Sequence, residues 1–391
     1  MPNRSFDQRA HELIDSLNET GQLKPFYDIK SPMRPLVDIA GKGEVLVLCS
    51  NNYLGLADHP EVIEAGIQGL KDYGAGTASV RFICGTLECH RELEKTIAEF
   101  VGTESSLTYV SCWNANEALF PTLVSPDDAI LSDELNHASI IDGMRLMSKK
   151  VNKKVYQHSD LDQLESQLKE TQEHETRWVV TDGVFSMEGD VAKLPELVEL
   201  CEKYDAMLVV DDSHGVGVLG KSGKGTHEHF DLVGKIDVIT GTLGKALGGA
   251  AGGYIAASAK AIEVLEQRAR PSLFSNALPA TVAYSAKKAI DVVQNDPSIV
   301  ARLHKNVASF REGLAGLGFD CSPSPTAIIP IMIGDEAEAI KKSAKLFEMG
   351  VMVIGFGFPV VPKGEARLRV QVSAALTDDH IQQAMDAFAK L

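Results

Sequence analysis

The chain has 391 residues, enough for a large hydrophobic core and two domains in close contact. Its 38 Lys and Arg against 54 Asp and Glu give a formal net charge of −16. That charge argues against a nucleic-acid-binding or anionic-membrane-binding surface, because both need a basic face. A local cationic pocket for a phosphorylated ligand is compatible with it.

Helical and strand-like segments alternate from about residue 60 onward. Helical periodicity covers 60–73, 90–101, 138–149, 160–173 and 194–204. Short apolar runs lie between the helices, at 106–110, 129–132, 178–182, 207–211 and 238–240. This alternation predicts an α/β fold with a mostly parallel sheet covered on both faces, in which ligands bind beyond the carboxyl ends of the strands.

Changes in this pattern predict three regions. Residues 1–50 are typical of an amphipathic arm that packs on the body, 51–285 form a large ligand-binding domain, and 286–391 form a smaller α/β domain. The smaller domain is predicted to contain helices at 298–316, 335–349 and 377–390, and strands at 327–333, near 351–354 and at 367–372.

The six cysteines are scattered, with no CxxC pair, so we expect free thiols in a reducing compartment and no metal site. The start of the chain lacks an apolar leader, and no run reaches membrane-spanning length. These features predict a cytoplasmic protein without a membrane segment.

Lys245 lies in the glycine- and alanine-rich run 240–253, directly after the strand-like run 236–239. Because Lys245 has few polar neighbours in the sequence, we predict that it projects from a strand end into a cleft. A partly desolvated ammonium loses its proton easily and can become a nucleophile, typically by forming a Schiff base.

Asp211 ends an apolar run, and His214 follows three residues later. A carboxylate there either caps a turn or pairs with a buried base. The ring nitrogen of pyridoxal phosphate (PLP) needs such a partner to stay protonated, and His214 could then reach the 3′ oxygen of the ring.

Ser111 and the residues after it open an apolar helical stretch, whose first backbone amides would hold a phosphate dianion, with the hydroxyl of Thr242 nearby. The alternative is that Ser111 only caps the helix. His137 either stacks on an aromatic cofactor ring or is an ordinary residue at a helix start. Arg367 and Arg369 alternate along a strand, so one of them would face the cleft and grip a carboxylate.

Residues 215–222 satisfy both the P-loop pattern GxxxxGK[ST] and, in their first six residues, the dinucleotide pattern GxGxxG. Both patterns require a helix to begin at the loop, and the segment that follows is rich in helix breakers. We therefore expect a glycine-rich turn. His227 and His229 are expected to be solvated, without a metal.

Taken together, these segments resemble the α-oxoamine synthase family of fold-type I PLP enzymes. The resemblance runs from about residue 45 to the end and is carried by 49–56, 79–86, 132–143, 181–187, 240–249, 273–276 and 359–364. It implies an aspartate aminotransferase-like fold, with a large, mostly parallel sheet domain that binds PLP and a smaller α/β C-terminal domain.

The resemblance also implies roles for individual residues. Lys245 would form the internal aldimine, Asp211 would pair with the pyridine nitrogen, and His137 would stack on the ring. Ser186 and His214 would contact the 3′ oxygen. The phosphate would be held by Ser111, Cys112, Trp113 and Thr242.

Two further roles follow from the resemblance. Ser275 matches a residue that serves the neighbouring subunit's phosphate site, which implies a homodimer with shared active sites. Asn51 and Arg369 match positions that orient the amino-acid carboxylate.

The segments are most similar to those of the glycine C-acetyltransferase branch. That implies condensation of glycine with acetyl-CoA to 2-amino-3-oxobutanoate and CoA, a step of threonine degradation. The alternative is another acyl thioester or amino acid, with decarboxylation, as in the 8-amino-7-oxononanoate synthase and serine palmitoyltransferase branches. Trp113-Asn114, Phe358 and Leu376 depart from the pattern of the acetyltransferase branch, so the acyl donor stays open.

Overall fold

The computed structural model describes residues 4–20, 22–321 and 323–391. The N-terminal region contains helix α1 (Arg4–Glu19) and strands β1 (Leu36–Ile39) and β2 (Gly43–Val47), which pair antiparallel. We expected this segment to pack on the body, but no residue of α1 is buried in the single chain. The β1–β2 pair does pack on the body, through the buried Val37, Val45 and Val47.

A seven-stranded sheet forms the centre of the protein. In spatial order its strands run β3-β9-β8-β7-β6-β4-β5, and all neighbours are parallel except β9, which is antiparallel to both β3 and β8. The strands are β3 (Ser105–Tyr109), β4 (Ala129–Asp133), β5 (Asn152–Tyr156), β6 (Arg177–Asp182), β7 (Ala206–Asp211), β8 (Val238–Thr242) and β9 (Gly253–Ala257).

Helices cover both faces of this sheet, which is why its central strands are apolar almost throughout. Along β7, Leu208 and Val210 pack into one hydrophobic cluster while Val209 packs into the other. The helices of this region are α2 (Pro60–Tyr73), α3 (Glu88–Val101), α4 (Cys112–Leu123), α5 (Ala138–Arg145), α6 (Leu161–Glu170), α7 (Leu194–Tyr204), α8 (Thr226–His229), α9 (Ala259–Arg268), α10 (Arg270–Phe274) and α11 (Ala280–Asn295).

The C-terminal region is built around a three-stranded antiparallel sheet of order β10-β13-β12. A short strand, β11, pairs instead with β2. The elements are α12 (Ser298–Gly316), β10 (Ile328–Gly334), α13 (Glu336–Glu348), β11 (Val351–Met352), β12 (Ile354–Phe356), β13 (Ala366–Gln371) and α14 (Asp378–Phe388).

The three-region division of the chain stays a prediction. Its boundary between residues 285 and 286 falls inside α11, and the pairing of β2 with β11 joins the first 50 residues to the C-terminal region. No helix in the described ranges combines the length and the apolar character that crossing a bilayer requires.

Candidate active site

The candidate site lies where four neighbouring strands of the large sheet end. Asp211 is the last residue of β7, Asp182 is the last residue of β6, and the two are paired in register. His137 follows β4, and Lys245 follows β8 by three residues. Parallel strands bring their carboxyl ends to one edge of the sheet, so these four side chains converge from distant parts of the chain.

Asp211 is a buried carboxylate surrounded by donors. Its Oδ1 accepts the backbone N–H of Ser213 at 3.0 Å, and its Oδ2 accepts Nδ2 of Asn116 at 2.7 Å. The thiol of Cys112 lies 3.7 Å from the same Oδ2. A carboxylate placed at this strand end is suited to bind a cationic N–H of a ligand ring.

Lys245 and His214 form a hydrogen-bonded pair, with Nζ 2.9 Å from Nε2. Burial lowers the pKa of Lys245, and the nearby Asp211 carboxylate opposes that shift. Burial also lowers the pKa of His214 to well below its ordinary value, and the charge of Lys245 acts in the same direction. Burial therefore favours the uncharged amine of Lys245, which is the nucleophilic form of lysine.

His137 caps the N-terminus of α5, and its imidazole is exposed at the edge of the site. Its Nδ1 is contacted by the backbone N–H of Ser139 at 3.2 Å and by the hydroxyl of Ser139 at 2.8 Å. Burial lowers the pKa of His137, partly offset by Asp211. The structure therefore presents a neutral ring with one edge fixed.

Helix α4 begins beside Asp211. Ser111 is its N-cap and accepts the backbone N–H of Asn114 at 3.1 Å, which leaves the amides of Cys112 and Trp113 in the first turn. Those are positions at which a helix lacks internal acceptors for its N–H groups, so this terminus suits an anion. The cap interpretation of Ser111 is confirmed, and the anion site stays a prediction that this cap permits, because it would use different amides.

Strand β9 passes very close to this helix start. A Cβ atom on Gly253 would lie 2.2 Å from the backbone nitrogen of Cys112. Thr242, at the end of β8, accepts the N–H of Gly244 at 3.1 Å and donates to the carbonyl of Gly252 at 3.2 Å. Ser275 and Asn114 line one small pocket, which places Ser275 near the helix start of its own chain.

Of the two arginines on β13, Arg369 is the one with free donor capacity. Arg367 is buried and paired with Glu188 and Glu365, both at 3.2 Å. Arg369 donates from Nη1 to the carbonyl of Ser186 at 3.0 Å, and its buried Nε has no partner. A half-buried guanidinium with an unsatisfied donor is suited to a carboxylate.

Asn51 lies at the same side of the site, linked to Arg369 through Gln371. Nε2 of Gln371 is 2.5 Å from Oδ1 of Asn51, and Nη2 of Arg369 is 3.3 Å from Oε1 of Gln371. Pairwise contacts and one shared pocket connect most of the sequence-predicted residues to this end of the sheet, and their roles stay predictions. The sequence-predicted residues are Asn51, Ser111, Cys112, Trp113, His137, Ser186, Asp211, His214, Thr242, Lys245, Ser275 and Arg369.

Sequence reasoning missed four residues that orient this site. Tyr53 donates to or accepts from His214, Asn116 binds Asp211, Gln371 binds Arg369, and Asp182 lies beside Asp211. Signals for two of them were available. Asn116 lies four residues after Cys112, on the same helical face, and Gln371 lies two after Arg369, on the same strand face.

The loop at 215–222 does not bind phosphate in the manner of a P-loop. The carboxylate of Glu228 accepts the N–H groups of Ser222 at 3.0 Å and of Lys224 at 2.9 Å, so a side chain of the protein occupies these amides. The helix that follows, α8, has only 4 residues.

The expectation for His227 was wrong. The residue is buried, and its Nδ1 lies 3.8 Å from Oδ2 of Asp212, whereas His229 is exposed. Within the described ranges no group of three His, Cys, Asp or Glu side chains is arranged to hold a metal ion.

Comparison with known families decides the assignment of the chain. The model of the family "Aminotransferase class I and II" matches residues 43–388. The chain belongs to this family.

Two curated relatives refine the assignment within the family. The chain is 45% identical over 388 residues to 2-amino-3-ketobutyrate coenzyme A ligase of Escherichia coli K12, covering 99% of this chain and 97% of the relative. It is 45% identical over 381 residues to 8-amino-7-oxononanoate synthase of Symbiobacterium thermophilum, covering 97% and 96%.

Among solved structures, a variant of serine palmitoyltransferase from S. paucimobilis with a bound PLP–myriocin aldimine superposes with a TM-score of 0.92. The two chains are 29% identical, with 99% of this chain and 97% of that chain covered. These similarities place the chain among the α-oxoamine synthases and confirm the expected fold-type I architecture.

Proposed function

We propose that this protein is a PLP-dependent acyltransferase that condenses glycine with acetyl-CoA, giving 2-amino-3-oxobutanoate and CoA. The observation that carries the proposal is the Lys245–His214 pair beside the buried Asp211, in a chain 45% identical over 388 residues to a 2-amino-3-ketobutyrate coenzyme A ligase. PLP supplies, when bound, an electron-withdrawing ring that stabilises negative charge at the α-carbon of an amino acid.

The residues present fit that cofactor. Asp211 is a carboxylate with donors on both oxygens, the partner that a protonated ring nitrogen needs. The first turn of α4, at Ser111, Cys112 and Trp113, offers N–H groups to a phosphate, and Thr242 adds a hydroxyl. His137 offers the face of a neutral ring, while Ser186 and His214 supply polar groups beside Arg369 and Lys245.

Arg369 and Asn51 bind the amino-acid carboxylate in this proposal. The buried Nε of Arg369 lacks a partner, and the amide of Asn51 accepts from Gln371 through Oδ1, leaving Nδ2 to donate. A carboxylate held at this end of the cleft is kept from leaving as carbon dioxide, and the amine of Lys245 is then the base that removes the α-proton. Its lowered pKa suits that role.

A second candidate is a related α-oxoamine synthase that uses another acyl thioester or amino acid, with decarboxylation. It is favoured by the 45% identity to an 8-amino-7-oxononanoate synthase and by Trp113. The indole of Trp113 stands edge-on to the imidazole of His137, with the ring centroids 6.1 Å apart, so a departure from the acetyltransferase pattern borders the site.

We also propose a homodimer with shared active sites in a reducing compartment, the cytoplasm. Three large apolar side chains are exposed near Ser275: Phe82 (63%), Ile83 (67%) and Phe274 (71%). Val80 bridges Asn276, which brings the segment of Phe82 and Ile83 close to that of Phe274, and exposed apolar side chains that lie together are typical of subunit interfaces. All six cysteines are free, as is usual for proteins in reducing compartments.

Two measurements test the proposal. Borohydride reduction of the purified protein followed by peptide mass spectrometry should find a pyridoxyl group on Lys245, and Lys245→Ala should abolish both the label and turnover. Incubation of glycine with a panel of acyl-CoAs should give the fastest reaction with acetyl-CoA and a product that retains both glycine carbons. A product that has lost the carboxyl carbon supports the second candidate instead.

A further inference from the structure

A chain of hydrogen bonds joins Arg369 on β13 to the lysine after β8. It begins where Nη2 of Arg369 donates to Oε1 of Gln371 at 3.3 Å. Because a guanidinium only donates, the atom it contacts must be the amide oxygen, and this fixes the orientation of the amide. Nε2 of Gln371 then donates to Oη of Tyr53 at 2.8 Å and to Oδ1 of Asn51 at 2.5 Å.

The hydroxyl of Tyr53 has one hydrogen to give. Nδ1 of His214 lies 2.8 Å from Oη, whereas Oδ1 of Asn51 lies at 3.4 Å and already accepts from Gln371. We assign the hydrogen to the shorter contact, in which Tyr53 donates to Nδ1. A neutral His214 that accepts at Nδ1 carries its proton on Nε2.

The proton on Nε2 points at the lysine nitrogen. Nε2 of His214 lies 2.9 Å from Nζ of Lys245, so an N–H donated there needs a free lone pair on the amine. Burial lowers the pKa of both groups, in agreement with a neutral imidazole beside a neutral amine. With this tautomer each of the four contacts from Arg369 to Lys245 pairs one donor with one acceptor.

We propose that Tyr53 and Gln371 are positioning residues, which fix the proton of His214 on Nε2 and so couple the Lys245 nitrogen to the carboxylate site at Arg369. The inference rests on the proposed function, in which Arg369 holds the substrate carboxylate and Lys245 is linked to the cofactor. The hydrogen-bonded chain from Arg369 to Lys245, called the relay below, touches substrate only at its two ends. Tyr53 and Gln371 lie inside the relay and act through the tautomer of His214.

The first test is Tyr53→Phe in the holoenzyme. The ring stays in its buried position, but Nδ1 loses its donor, so the proton of His214 redistributes between the two nitrogens. This weakens the hydrogen bond from Nε2–H of His214 to the Lys245 nitrogen, which opposes protonation of that nitrogen. Because the opposition is weaker, the pH midpoint of the visible absorbance at roughly 400 nm should rise by about 0.5–1 unit. We expect kcat to fall about tenfold, with less than about threefold change in KM for glycine.

Tyr156→Phe is the matched control, because it removes a buried tyrosine hydroxyl on β5. It should keep the wild-type midpoint. Gln371→Glu is the second variant. Its carboxylate would accept hydrogen bonds from both Arg369 and Tyr53, so the hydroxyl hydrogen of Tyr53 would no longer be donated to Nδ1 of His214. The midpoint should rise as in Tyr53→Phe, and KM for glycine should increase at least about tenfold, because Arg369 is now paired.

The outcomes separate the relay from the function on which it rests. If wild-type protein carries the pyridoxyl label on Lys245 but both variants titrate like wild type, the relay is wrong and the proposed function stands. If wild-type protein carries no label on Lys245, the proposed function is overturned and the relay with it. A raised midpoint in both variants, with an unchanged control, is the result that we expect.

Discussion

Nδ2 of Asn116 lies 2.7 Å from Oδ2 of Asp211 and 2.9 Å from Oγ of Ser139, so one amide joins two parts of the site. Ser139 in turn holds Nδ1 of His137 at 2.8 Å. The carboxylate at the end of β7 and the imidazole at the start of α5 are therefore oriented by one buried side chain of α4. Removal of the Asn116 amide should therefore disturb the orientation of both Asp211 and His137.

Replacing Asn116 by leucine should weaken cofactor binding without unfolding the protein. The change keeps the size of the side chain but removes the donor to Asp211, and a hydrogen bond to a charged group contributes about 1.5–3 kcal/mol, or about 10- to 100-fold in affinity. Absorbance titration of the apoprotein with PLP measures the dissociation constant. Thr122→Ala, near the end of the same helix, is the control, and equal affinities for the two variants would contradict the assignment.

Asp182 and Asp211 are register neighbours that we expect to respond oppositely to the same substitution. Burial, together with the charge of Asp211, raises the pKa of Asp182 well above its ordinary value of 3.8, which favours the uncharged carboxyl group. Asp182→Asn imitates the uncharged form that burial favours, and should keep kcat/KM within about fivefold. Asp211→Asn removes the anion and should cost at least about a hundredfold. A hundredfold loss in Asp182→Asn would show that this carboxylate works in its charged form.

The same variant should be more stable than wild type at high pH. Because the pKa of Asp182 is raised on folding, the unfolded chain loses the proton first, and wild-type stability falls as the pH rises above 3.8 toward the folded value. The gain in the unfolding free energy of Asp182→Asn should therefore grow with pH over this range. Thermal unfolding at several pH values measures it, and a gain that shrinks with pH would contradict the argument.

His158 joins the last residue of β4, Asp133, to Asp190 in the segment that follows β6. Burial alone would lower the pKa of His158, but hydrogen bonds to Asp133 at 3.1 Å and Asp190 at 2.9 Å outweigh it and raise the value to about 10. A raised folded pKa gives stabilisation that is complete below 6.5 and is lost as the pH rises to about 10.

His158→Gln should therefore destabilise the protein most at low pH, by about 3 kcal/mol, and least near pH 10. Chemical denaturation between pH 6 and pH 10 provides the measurement, with the exposed His229→Gln as control. A difference from wild type that does not depend on pH would mean that His158 is not charged in the folded protein.

Subunit mixing tests whether Ser275 serves the neighbouring active site. Lys245→Ala and Ser275→Asp homodimers should each have little activity. After random exchange, half of the dimers are hybrids, each with one intact site if Ser275 acts across the interface, so about a quarter of wild-type activity should return. No recovery would mean that Ser275 acts within its own chain, near whose α4 start it lies.

Much of this architecture was predictable from the sequence, because buried parallel strands and amphipathic helices carry strong patterns. The strand ending at Asp211 and the helix over 194–204 are examples. Strand β5 was missed because Lys153 and Lys154 interrupt any apolar run at the edge of the sheet. Strand β9 was missed because the glycines before it are typical of a loop.

Within the site, the residues whose chemistry is conspicuous, such as Lys245 and Asp211, were predictable. Those that act through geometry were not. Tyr53 and Gln371 are separated by more than 300 residues and meet only because β13 passes beside the segment before α2. Their contact depends on tertiary packing, which a single sequence does not display. The burial of His227 was missed for the same reason.

The close approach of Gly253 to Cys112 has a consequence for protein engineering. Any larger residue at position 253 would push β9 and the start of α4 apart, and with them the loop that carries Lys245 and the first turn of α4. A saturation library at this position, screened for the visible absorbance of bound PLP rather than for soluble protein, should return glycine alone. The distance between β9 and the first turn of α4 therefore depends on the absence of a Cβ atom at position 253.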